Sequence, residues 1–116
     1  MRFAEPEVAK HYILMQIETA SRQKQLTMLH EKCVQLMHAA IIASREDRRM
    51  ILNRAQNILA QFQASLRVED AVSQGLFYIY DYAYILLEKG GINECRKAIQ
   101  VMSVIRDTFR ELLLNL

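Results

Sequence analysis

Apolar residues recur at steps of three and four along four successive stretches of this chain, and that period points to amphipathic helices. The first stretch runs Leu26, Leu29, Cys33, Leu36/Met37, Ala40 and Ile41, and the second Ile51/Leu52, Ala55, Ile58/Leu59, Phe62 and Leu66. The third reads Val72, Leu76, Ile79, Ala83 and Leu86/Leu87, and the fourth Cys95, Ile99, Met102, Ile105, Phe109 and Leu113. Three glycines and one proline in 116 residues leave too few turn formers for a β-sandwich or barrel. A chain of this length makes one domain, and its 52% hydrophobic content supplies a core and argues against disorder.

The breaks between stretches carry helix signals. Ser21 is a candidate N-cap, which leaves residues 1–19 as a flexible or short-helical leader and 20–116 as the bundle domain. Ser44-Arg45-Glu46-Asp47 supplies a turn and caps for the second helix, Asp70 caps the third, and Asn93 the fourth. Gly90-Gly91 marks the end of helix three, because glycine accepts the left-handed closing conformation. Four helices joined by short loops pack against their neighbours in opposite directions, so the expected fold is all-α, an antiparallel four-helix bundle. The leader carries Phe3, Val8, Tyr12, Ile13, Leu14 and Ile17, apolar residues that need a place to dock. They are expected to form a movable cover over a partner groove.

A net charge of +2 gives no pull toward nucleic acid, and no apolar run approaches the ~20 residues that span a bilayer. The N-terminus lacks the apolar stretch of a secretory signal, so a soluble, cytoplasmic protein is expected. Catalytic chemistry is sparse. His30 and His38 lie two turns apart without the Glu-x-x-His pairs of a di-iron bundle, and neither sits in the His-x-x-Lys-Gly pattern of phosphotransfer bundles. They read as ordinary polar or boundary histidines, Cys33 and Cys95 as buried thiols, and no cofactor or metal is implied. Arg45, Arg48, Arg49 and Arg54, interleaved with Glu46 and Asp47, read as a solvated loop face.

The run Phe77-Tyr78-Ile79-Tyr80-Asp81-Tyr82-Ala83-Tyr84 is the most unusual feature. It wraps more than two helical turns, so these rings cannot all face one core. Tyrosine suits a half-buried interface, and Tyr80 and Tyr82 are candidates to line a groove for another chain.

Several segments in order resemble the flagellar secretion chaperone FliS family. Tyr12, Ile17, Thr19-Ala20-Ser21, Lys24, Leu26 and Met28-Leu29 resemble its leader and first helix, where the family has Thr-Ala-Ser-Pro and Met-Leu-Tyr-Asp-Gly. Ala64-Ser65-Leu66 is similar to its Ser-Leu-Asp helix end, and Ile79-Tyr80-Asp81-Tyr82 to its Leu-Tyr-Asp-Tyr motif. Ile105-Arg106-Asp107-Thr108-Phe109 resembles its Leu-Arg-Asp-x-Trp ending. The departures are Arg22 for Pro, His30-Glu31-Lys32 for Tyr-Asp-Gly, Arg67 for Asp and Gly75 for Asn.

The resemblance implies a non-enzymatic export chaperone. It would hold the C-terminal segment of flagellin or a related filament subunit, prevent premature polymerisation and serve the flagellar export apparatus. Partner-binding residues would be Tyr12, Ile17, Met28, Leu29, Tyr80 and Tyr82. Thr19, Ala20, Ser21, Ser65, Leu66, Asp81, Arg106, Asp107 and Phe109 would be structural. The alternative is an adaptor or co-chaperone of the same build serving another flagellar or regulatory protein.

Overall fold

Pro6 opens the first helix, where its fixed φ suits the turn and its missing N–H would have had no partner. In this computed structural model, which describes residues 6–67 and 69–114, α1 runs unbroken over Pro6–Ile42. It is followed by α2 (Arg45–Ser65), α3 (Ala71–Lys89) and α4 (Ile92–Leu114). The connections are Ala43-Ser44, residues 66–70 and Gly90-Gly91, too short for anything but a return against the preceding helix. α1 packs on α2 and α4, and α3 completes the ring between those two. The expected all-α four-helix bundle is the fold observed.

Its caps follow the sequence at three of five places. The Ser44 hydroxyl accepts from the Asp47 N–H at 3.2 Å, and the Asp70 carboxylate from the Ser73 N–H at 2.7 Å. Gly90 takes φ +75°, and its N–H closes α3 on the Leu86 carbonyl. Asn93 is not a cap: the Cys95 N–H already bonds the Gly91 carbonyl at 2.9 Å, which places Asn93 inside the first turn of α4. Nor is Ser21, which lies in the middle of α1. With Arg22 in place of a proline, every N–H there stays available and nothing interrupts the helical ladder.

The basic turn is a solvated face at Arg45 and Arg54, which are exposed, but not at Arg48 and Arg49. Arg48 Nε donates to the Ala40 carbonyl at 2.9 Å, and Arg49 Nη2 donates to the Leu87 carbonyl at 2.7 Å. Each guanidinium thus satisfies carbonyls at a helix C-terminus, of α1 and α3 respectively, and offsets the partial negative charge there. Arg49 also donates to Gln56, whose side-chain amide donates to Glu88 at 2.7 Å. Cationic reach of this kind is not legible from local sequence.

Val34, Met37, Leu52, Leu59, Leu87 and Met102 form the centre of the core. Cys33 and Cys95 are fully buried as free thiols. Burial pushes the Cys33 thiol up to about 12 and Cys95 in the same direction. Two stripes are rotated from expectation. On α3 Tyr80 is inside, Ile79 is half-buried and Val72 is exposed; on α4 Ala98 takes the centre and Ile99 its edge.

At ~1.5 Å per residue α1 is ~55 Å long against ~35 Å for α4, so it overhangs the bundle. The molecule measures 67 × 27 × 20 Å as a result. Every residue from 6 to 19 is exposed, and Leu26 is the first side chain of α1 to pack on the core. The expected docking of the leader as a cover over a groove is therefore corrected for its described residues: residues 6–19 continue α1, and their side chains are exposed rather than packed on the bundle. Phe3 lies outside the described residues.

Candidate partner-binding surface

α3 sorts its aromatic run by helical phase. Tyr80 and Ala83 point into the core, whereas Tyr78, Tyr82 and Ile85, at steps of four and three, share one outer face. Tyr78 is 70% exposed, and Tyr82 and Ile85 are about half so. Two phenol rings and an aliphatic side chain on one solvent-facing stripe can take the apolar face of an amphipathic helix, with the hydroxyls reaching its polar edge.

Tyr80 is a correction. Its side chain is 2% exposed, so it does not line a surface groove. Its hydroxyl lies 2.8 Å from Nε2 of His30, whose Nδ1 lies 2.7 Å from the Leu26 carbonyl oxygen. A carbonyl only accepts, so Nδ1 carries the ring proton and Nε2 accepts from Tyr80. His30 also stacks on Phe62 at 4.0 Å and on Phe109 at 4.5 Å between ring centroids. Burial pushes the His30 imidazole below its ordinary value, opposed by the hydrogen bond to Leu26. Burial, with Cys33 adding to it, pushes the Tyr80 hydroxyl up. Both rings stay neutral, and both histidine nitrogens are occupied. His30 is thus a core residue, not a boundary one, whereas His38 is exposed. The signal existed in the sequence: His30 lies on the Leu26–Cys33–Met37 stripe and Tyr80 on the Leu76–Ala83–Leu87 stripe.

The remaining candidates are scattered. Tyr12 and Ile17 are exposed on the overhang of α1; Met28 is exposed and Leu29 half-buried on the same helix, apart from the α3 stripe. Thr19 bonds back to the Met15 carbonyl at 2.9 Å, Ala20 is half-buried and Ser21 exposed. At the end of α2 the Ser65 hydroxyl donates to the Phe62 carbonyl, and the Leu66 N–H to that of Gln63. Asp81 is half-buried on α3, Arg106 pairs with Asp107 at 3.0 Å, and Phe109 covers His30. Sequence reasoning missed Tyr78 and Ile85 as companions of Tyr82.

Among the described residues no three His, Cys, Asp or Glu side chains converge as metal ligands, and no helix is long and apolar enough to cross a membrane. A search among curated proteins finds none that matches the chain significantly. The family model described as flagellar protein FliS, by contrast, matches residues 5–115, almost the whole bundle with its overhang. A match of that extent shows that the chain belongs to the FliS family and is a chaperone of flagellar proteins.

Proposed function

We propose that this protein is a cytoplasmic export chaperone that holds the C-terminal segment of flagellin on the outer face of α3. The observation that carries the reading is the exposed stripe Tyr78–Tyr82–Ile85, an apolar surface with hydrogen-bonding tips. A filament subunit's polymerising end is amphipathic and unstructured alone, so covering its apolar side keeps it from assembling early. The activity is binding, and release at the export apparatus completes it. Arg22 and Lys32, two departures from the family pattern, are exposed on α1 and leave the α3 stripe untouched. Calorimetric titration with a peptide carrying the flagellin C-terminal segment tests the proposal. Saturable binding weakened by Tyr82→Ala is expected. No heat of binding at high micromolar peptide overturns the flagellin reading in favour of an adaptor for another flagellar protein.

A further inference from the structure

The exposed stripe of α3 does not end at Ile85. One turn further on, Lys89 falls in the same phase, so Tyr78, Tyr82, Ile85 and Lys89 follow at steps of four, three and four on one outer face. Lys89 borders a cleft of about 300 Å³ at the end of the bundle, together with Arg45, Arg48 and Arg49 from the start of α2. Among the described residues none of these four cations forms an ion pair, and the side chains of Arg45 and Lys89 make no hydrogen bond. Arg48 gives Nε and Nη2 to the Ala40 and Ala43 carbonyls and keeps Nη1. The carboxylates on adjoining turns, Glu46, Asp47, Glu88 and Glu94, do not line the cleft, and Glu88 is engaged by the Gln56 amide at 2.7 Å. Four positive charges thus border one opening without a carboxylate among them.

We infer that this cleft takes the terminal carboxylate of the client chain, so that a client helix on the α3 stripe runs parallel to α3 and ends at Lys89. This direction rests on the flagellin reading, in which the segment held is the end of its chain. A chain end brings a full negative charge, and the last turn of a helix adds unsatisfied carbonyls of the same sign. Arg45, Arg48 and Lys89 offer both of them charged donors. The other end of the stripe has the opposite sign. Glu69 and Asp70 are exposed at the start of α3 beside a single Arg67, and suit the partly positive N-terminus of a client helix. An antiparallel client would set its carboxylate against those two acids. From Tyr78 to Lys89 the stripe advances eleven residues, ~16 Å at ~1.5 Å each, so three turns of client cover the tyrosines and reach the cleft.

Calorimetric titration of the full chain with the flagellin C-terminal peptide, once as the free acid and once as the C-terminal amide, provides the test. The free acid is expected to bind about tenfold tighter, because the amide removes the charge that the cleft receives. The gap should narrow as salt rises. Lys89→Gln combined with Arg45→Gln should close it by weakening the acid alone. Both positions are exposed, so circular dichroism should show the bundle intact. Equal affinity of the two peptides for the wild type overturns the inference and leaves the flagellin reading standing. So does a gap that survives the double variant, which places the carboxylate elsewhere. Equal weakening of acid and amide by that variant overturns it as well, since the cations then meet an acidic side chain instead of the chain end. Binding of neither peptide overturns both the inference and the flagellin reading.

Discussion

The Tyr80 hydroxyl donates to Nε2 of His30 at 2.8 Å, fastening α3 to α1 across the diagonal of the bundle. The two helices meet through such core side chains rather than along their backbones. Where the FliS pattern has a tyrosine, this chain has a histidine that completes a polar bridge inside an aromatic cluster.

That bridge makes stability depend on pH in a defined direction. His30 binds its proton less readily in the folded chain than the ordinary 6.5 of the unfolded one. Above pH 6.5 it is neutral in both states and its contribution is fully present. As pH falls below 6.5 the unfolded state takes up the proton first, so stability declines, at most ~1.4 kcal/mol per pH unit, until the folded imidazole also titrates. Urea melts at pH 7.5, 6.5 and 5.5 should show this added slope in the wild type and not in His30→Gln. Parallel curves would mean that His30 binds its proton equally well in the folded and unfolded chains, and would overturn the argument.

Tyr80 and Tyr82 should separate stability from binding. Tyr80→Phe keeps the ring but leaves His30 Nε2 unpaired, costing about 1–3 kcal/mol with client affinity unchanged in the folded protein. Tyr82→Ala should barely alter the urea midpoint yet weaken client binding by about 2 kcal/mol, near thirtyfold. Calorimetry paired with melts checks both, and equal binding losses would contradict the division.

Arg49→Ala should destabilise by about 1–3 kcal/mol, since it strips the Leu87 and Glu88 carbonyls at the end of α3 and the Gln56 side-chain oxygen of their donor. Arg54→Ala, exposed on the same helix, should change stability by less than about 0.5 kcal/mol. Chemical denaturation of the two variants side by side makes the comparison.

Leu59→Ala should cost about 2–5 kcal/mol, because the site is fully enclosed and cannot collapse around the deletion. Ile99→Ala, at the edge of the core, should cost visibly less. Denaturant midpoints in that order place the helical phase of α2 and α4.

The helices were legible because their apolar period is local, and so were Ser44, Asp70 and Gly90, whose roles need only the adjacent turn. What escaped depends on a second helix. Arg48 and Arg49 look solvated until the carbonyls they reach are placed beside them, and Tyr80 looks like a surface ring until His30 faces it. The candidate surface was half visible. Tyr82 stood out by its aromatic neighbours, but only the phase fixed by Ala83 and Leu87 separates Tyr78 and Ile85, outside, from Tyr80, inside.

Both of the chain's thiols lie sealed inside the bundle, Cys33 between α1 and the carbonyl of Ala55 and Cys95 at the first turn of α4. A thiol-specific reagent in solution therefore meets no sulfur until a helix lifts away. The rate at which such a reagent labels the native protein becomes a clock for its opening. Cys33 keeps time for α1 and α2, Cys95 for the docking of α4. Partner binding that steadies either helix would slow the corresponding hand without any probe having been added.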